Sequence, residues 1–196
     1  MRSLQRARIA NIHSRLWLAL RFSDLPLNVL GFDSQSEHAK VVIEKQRVIG
    51  SNACADEAGI VFGMDVTTAT LVSGCESYAR DRELERQALA QLSEQLYQFT
   101  PYIETYFCET RPHAGLLLEV SSCLKLFSGI QALSSQIIQY LQNTFFSVAI
   151  GLAHTAKGAW LLSFEKHDIT GDENKTIFCE RYNSCRCSYC TTIRKL

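Results

Sequence analysis

Between Asp81 and Thr100 the sequence DRELERQALAQLSEQLYQFT sets the strongest limit on what this chain can fold into. Leu84, Ala88, Leu92 and Leu96 recur every four residues, Leu89 and Phe99 join them, and Glu85, Arg86, Gln91 and Glu94 fall on the opposite, wet side. This spacing predicts an amphipathic helix with one face in a core, and Pro101 stops it. A helix with one apolar face needs a second layer against it. The short apolar runs on either side of it are the candidates for that layer.

LWLALRF (16–22) reads as a buried strand that ends in the turn-rich SDLPLN, with a short helix after it. KVVIE and RVIGS, separated by Lys45 and Gln46, have the pattern of a hairpin. NACADEAG closes one or two helical turns at Gly59, and TTATLVSG repeats the pattern. YIETYF and GLLLEV, with ETRPHA between them, predict an antiparallel pair. Residues 130–143 are amphipathic again, FFSVAIGLA predicts a last buried strand, and AKGAWLLSF a helix after it. Hairpin-paired strands interleaved with helices imply an α+β fold, a sheet with helices packed on one face, and not a doubly wound parallel sheet.

The chain has 196 residues, 46% of them hydrophobic, enough to bury a sizeable core. Its 20 basic and 20 acidic residues cancel, which removes any whole-chain electrostatic argument for nucleic-acid binding. A local exception stands at the N-terminal end. Arg2, Arg6, Arg8, Arg15 and Arg21 fall within the first 22 residues, which contain no acid, and 1–13 reads as a basic arm. No run approaches the roughly 20 apolar residues that span a bilayer, so a cytoplasmic protein with no membrane role is expected. Beyond Phe164 the apolar period dissolves, and 167–196 reads as a poorly ordered, Cys-rich tail. Cys179, Cys185, Cys187 and Cys190 crowd there, but only the last two have CxxC spacing, which fits a zinc site poorly. Cys54, Cys75, Cys108 and Cys123 are scattered singly and read as buried thiols. His113, His154 and His167 are isolated from one another, and the mixed charges of ARDRELERQ read as a solvated helix face.

Five segments, LWLALRFSDLPLN, RVIGSNACADEAGIVFGM, QLYQFTPYIETY, GLLLEVSSCLKLFSG and VAIGLAHTAKGAWLLS, resemble in order and spacing the Y-family (UmuC/DinB-like) DNA polymerases. The likeness is greatest to the polymerase-like subunit of the bacterial inducible mutagenesis cassette, ImuB. The resemblance implies a palm with part of the fingers over 14–166, and a role in DNA repair, translesion synthesis and SOS mutagenesis. It also implies a chemistry that can be checked residue by residue. Nucleotidyl transfer needs paired divalent metals held by hard oxygen ligands, which the family supplies as an Asp on the first strand and an Asp-Glu pair at the hairpin. Ala19 falls at the first of these positions, Arg21 at a second Asp, Ala114 and Gly115 at the pair, and Glu119 at an outer acidic residue. The family's triphosphate-binding Tyr, Arg and Lys match Ala53, Asp56 and Trp160, with Lys157 one turn from the last. Ala and Gly are ordinary in buried strands, so their weight comes from this alignment.

The expectation is therefore a chain with no catalytic, nucleotide-binding or metal residues and no cofactor, a scaffold in damage-induced mutagenesis. The resemblance implies a translesion polymerase, the sliding clamp and a RecA-like protein as its partners, with weak or indirect association with DNA. Two other readings stand beside it. One is a diverged, Mg²⁺-dependent polymerase that rearranges its site around Asp24, Asp65 and Glu119. The other is an inert truncated or frameshifted fragment, since the family's thumb and little finger have no counterpart before Leu196.

Overall fold

The computed structural model describes residues 15–32, 36–108, 113–144 and 146–164. The basic arm, the tail with its four cysteines, and His167 lie outside the described residues. Two sheets organise the rest. β1 (Trp17–Phe22), β5 (Tyr102–Phe107), β6 (Ala114–Glu119) and β7 (Val148–Ala153) form an antiparallel sheet in the order β5-β6-β1-β7. β2 (Lys40–Glu44), β3 (Arg47–Ser51) and β4 (Glu76–Ala79) form a smaller one in the order β3-β2-β4, with β2 antiparallel to β3 and parallel to β4. The fold is the α+β, palm-like arrangement that was expected, except that helices cover both faces of the four-stranded sheet and not one.

The run LWLALRF has apolar residues on both faces because β1 is a central strand covered from both sides. Leu18, Leu20 and Phe22 point to one face and meet Leu89, Leu92 and Leu96 of the long helix. That helix, Arg82–Leu96, and a later one, Ile130–Gln142, both cover this face, the second through Leu133, Ile137 and Leu141. Each buried leucine contributes about 1.5–3 kcal/mol, so this layer dominates the fold. The opposite face receives the last helix, Ala156–Leu162, which packs Ala159, Trp160 and Leu162 onto Ala19, Leu117 and Ala153. Gly151 permits that close approach: a Cβ there would lie 2.1 Å from the Ala159 carbonyl oxygen.

Three short helices complete the chain, so in chain order the helices are α1 (Leu25–Asn28), α2 (Ala53–Glu57), α3 (Val66–Ser73), α4 (Arg82–Leu96), α5 (Ile130–Gln142) and α6 (Ala156–Leu162). α2 starts at Asn52, which is buried and fully used. Its Oδ1 accepts from the N–H groups of Ala55 and Lys40, and its Nδ2 donates to the carbonyls of Ser36 and His38. α3 ends at Gly74, whose φ of 65° is the left-handed cap a glycine supplies. α4 starts at Asp81, whose carboxylate accepts from the N–H groups of Glu83 and Leu84.

Three expectations need correction. Glu85 is not on the wet side: it is 1% exposed, while Leu84, assigned to the apolar stripe, is 38% exposed. The buried stripe is 85, 89, 92 and 96, because Arg80 meets the Glu85 carboxylate with two hydrogen bonds of 2.6 and 2.7 Å. β4, whose ESYA sequence is mostly exposed, was not predicted. Of the four scattered cysteines only Cys75 is buried, and Cys54, Cys108 and Cys123 are partly exposed.

Candidate functional site

The face of the four-stranded sheet that carries α6 collects most of the positions singled out in the sequence. The register sets Arg21 opposite Gly115 and Ala19 opposite Leu117, so these four share one face. Ala19 is fully buried in a cluster with Leu117, Ala153, Ala159, Trp160 and Leu162. Gly115 lies directly under the Trp160 ring: a Cβ at 115 would meet Trp160 Cζ3 at 2.8 Å and the Leu20 carbonyl oxygen at 2.1 Å. Two positions 45 residues apart, one without a side chain and one with the largest, are thus complementary in space. Tyr106, tilted, and Phe164, edge-on, pack against the same indole at 4.5 and 5.8 Å between centroids. Ala114 points the other way, into the core under α4 and α5.

Arg21 is a charged group set into this surface, and it is 9% exposed. Its Nη2 donates to the Ser163 carbonyl at 2.8 Å, its Nε reaches the Ser163 carbonyl and hydroxyl at 3.3 Å, and its Nη1 donates to Ser23 Oγ at 2.7 Å. The guanidinium also sits 4.3 Å from the centre of the Phe164 ring. Ser163 is the C-cap of α6, so the cation meets the carbonyl end of a helix, where positive charge is favoured. Burial lowers the Arg21 pKa, and the Asp24 charge opposes that shift. Sequence reasoning noted Arg21 as a cation in place of an acid but missed its partner. Ser163 lies 142 residues away and no local signal connects the two.

The triphosphate positions are elsewhere. Ala53 and Asp56 lie on α2, beside the small sheet, and Asp56 accepts a hydrogen bond from the Ser51 hydroxyl. Its charge raises the pKa of Asp24, but burial of Asp24 is the larger cause, and a hydrogen bond with Ser147 works against both. Lys157 is on α6, in the turn before Trp160. The three acids of the rearranged site are not brought together. Glu119 is level with Trp17 at the start of β1, and Asp24 follows the strand's other end, roughly 20 Å away at 3.3 Å per residue. Asp65 caps α3 through the Thr67 N–H. Among the described residues no group of three or more His, Cys, Asp or Glu could hold a metal ion, and no helix is long and apolar enough to cross a membrane.

Solved structures with this arrangement exist. A chimera of the Y-family DNA polymerases Dbh and Dpo4 superimposes with a TM-score of 0.58 at 17% identity, over 76% of this chain and 45% of that one. DinB from Sulfolobus solfataricus gives the same values, and an insertion ternary complex of Dbh DNA polymerase gives 0.57 at 17% identity, over 75% and 45%. The fold is similar to part of a Y-family DNA polymerase. At this identity the likeness speaks for the fold, and the chain spans about 45% of the length of these polymerases. No family model and no curated protein matches the chain. Within the Y-family fold, the β1/β6 face under α6 is packed with Ala19, Leu117, Trp160 and the Arg21–Ser163–Phe164 group.

Proposed function

We propose that the protein is a non-catalytic Y-family polymerase-like subunit, of the ImuB kind, acting as an accessory in DNA damage tolerance and damage-induced mutagenesis. In this reading the four-stranded sheet with its helices is a palm and the β3-β2-β4 sheet with α2 and α3 is part of the fingers. Gly115 under Trp160 is the observation that carries it. Phosphoryl transfer depends almost wholly on positioning and charge neutralisation, and paired metals need a cradle of oxygen ligands. At the position matched to the second hairpin carboxylate, a side chain has no room: its first carbon would meet both the indole and the strand backbone. Arg21 supplies a positive charge to the same face and spends it on the end of α6. A fixed cation of that kind stabilises the fold and repels Mg²⁺.

The role left to such a domain is docking. A translesion polymerase, the sliding clamp and a RecA-like protein are its proposed partners, and its own contact with DNA is weak. The test is primer extension by the purified chain with Mg²⁺ or Mn²⁺, alongside immobilised-partner binding measurements. No incorporation together with retained partner binding is the expected result. Metal-dependent incorporation that disappears in Glu119→Ala or Asp65→Ala would reverse the assignment.

A further inference from the structure

A second feature of the large sheet lies at the far end of the same face, away from Arg21. There a groove of about 510 Å³ is lined by Arg15, Trp17, Tyr102, Glu104, Glu119 and Ser121 among others. The register explains how it forms. Tyr102 pairs with Glu119 across β5 and β6, and Glu119 pairs with Trp17 across β6 and β1. The three side chains therefore stand in one row on one face, a carboxylate between two aromatic rings, with neighbouring strands about 4.8 Å apart. Glu119 is 9% exposed, and its Oε1 accepts from the Ser121 N–H at 3.1 Å. Neither Glu119 nor Glu104 is in an ion pair among the described residues.

A buried carboxylate flanked by aromatic rings is a receptor for an organic cation. The carboxylate supplies the opposite charge, and the ring faces attract a cation within about 6 Å. An anion is repelled by the carboxylate, and an uncharged aliphatic ligand gains only apolar contact with the rings. β5 is the outer strand of the sheet, and four of its six residues are exposed. Glu104 follows Tyr102 by two residues and so repeats the negative charge on the same face, about 6.6 Å further along the strand. We infer that this groove binds an extended basic peptide segment laid along β5, with one Lys or Arg side chain between Trp17 and Tyr102 over Glu119. A second cation, two residues further on, meets Glu104. Arg15, on the rim, is a cation that competes with this ligand.

Titration of the full ¹⁵N-labelled chain, followed at the Trp17 indole N–H, tests the assignment. The probes are acetyl-Gly-Lys-Gly-Lys-Gly-amide, its isomer with the two lysines adjacent, a glutamate peptide of the same design, and butylamine. Saturable shifts at Trp17 and along β5 are expected with the alternating peptide, at least fivefold tighter than with the isomer and absent with the glutamate peptide. Glu104→Gln, at an exposed position that does not burden the fold, should weaken binding at least threefold. Glu119→Gln, which keeps an oxygen for the Ser121 N–H, should weaken it at least tenfold. Arg15→Ala should strengthen it, and Glu94→Gln on α4 should leave it unchanged. Equal binding of the two lysine isomers would overturn the extended register, butylamine binding as tightly as the peptide would mark a site for free amines, and an unchanged affinity in Glu119→Gln would remove the site altogether.

Discussion

At the scale of single residues, Gly115 and Asp24 make the sharpest tests. A Cβ at 115 faces a side chain on one side and a backbone carbonyl on the other, and only the first can move. Gly115→Ala should therefore cost on the order of 2–3 kcal/mol, the range of an overpacked core, measured by urea denaturation. Adding Trp160→Ala should not restore the loss, because the Leu20 carbonyl stays in place. Asp24 behaves differently, since burial raises its pKa and Asp56 adds to the effect. A carboxyl whose folded pKa is raised favours the folded state when protonated, so its contribution is present in acid and lost as pH rises through the folded value. Asp24→Asn should then raise Tm at pH 7, with the gain shrinking as pH falls through the raised folded value and gone by about pH 4, the ordinary aspartate value. Thermal unfolding across that range decides it, and a gain independent of pH would point to hydrogen bonding instead. Neither effect can be read from the sequence. Gly115 in an apolar run looks like any strand glycine, and Asp24 sits two residues past an apolar strand with nothing to announce Ser147 or Asp56 as neighbours.

At the scale of elements, local chemistry was legible wherever it acted alone. Asp81 and Gly74 mark a helix start and a helix end because capping is a matter of three or four adjacent residues. The β2–β3 hairpin was equally plain, and its turn shows what the pattern left out. Lys45 and Gln46 have φ values of 50° and 62°, the type I′ conformation that matches strand twist but favours Asn-Gly over side chains with long stems. Lys45→Asn with Gln46→Gly should stabilise the protein by about 1 kcal/mol, seen as a higher urea midpoint with an unchanged slope. β4 was not legible because its ESYA run has no apolar alternation. It is ordered as a parallel partner of β2, a tertiary fact. The rotation of the α4 stripe has the same origin, since Glu85 can be buried only when Arg80 is delivered beside it by the chain leaving β4.

At the scale of the whole molecule, the question is what makes two sheets one folded unit. α1 is one link: Leu25 enters the core of the large sheet, while Leu27 is buried with its Cδ1 3.9 Å from the place where a Cβ would stand on Gly50 of β3. The charged group around Arg80 is the other. Its guanidinium holds Glu85 of α4 at 2.6 Å and Glu44 of β2 at 3.4 Å, and Arg82 joins Glu44 at 2.8 Å. Arg80 is 11% exposed and Glu85 1%, so this is an interior pair and not a surface one. Hydrogen bonding to Glu85 raises the Arg80 pKa, and without that partner the guanidinium still stays charged, because arginine is not deprotonated in proteins. Glu85→Ala leaves that cation buried without its bidentate acceptor and should cost about 3–5 kcal/mol. Replacing both partners, Arg80→Met with Glu85→Leu, removes the uncompensated charge and should recover most of the loss. Hydrogen exchange separates a local effect from a global one. If the pair joins the two layers, Glu85→Ala should lower amide protection across β2 and β3 more than across β1 and β6, since the large sheet keeps its own core under α4 and α5. Equal loss in both sheets would mean that the pair serves α4 alone and that α1 suffices to hold the small sheet in place.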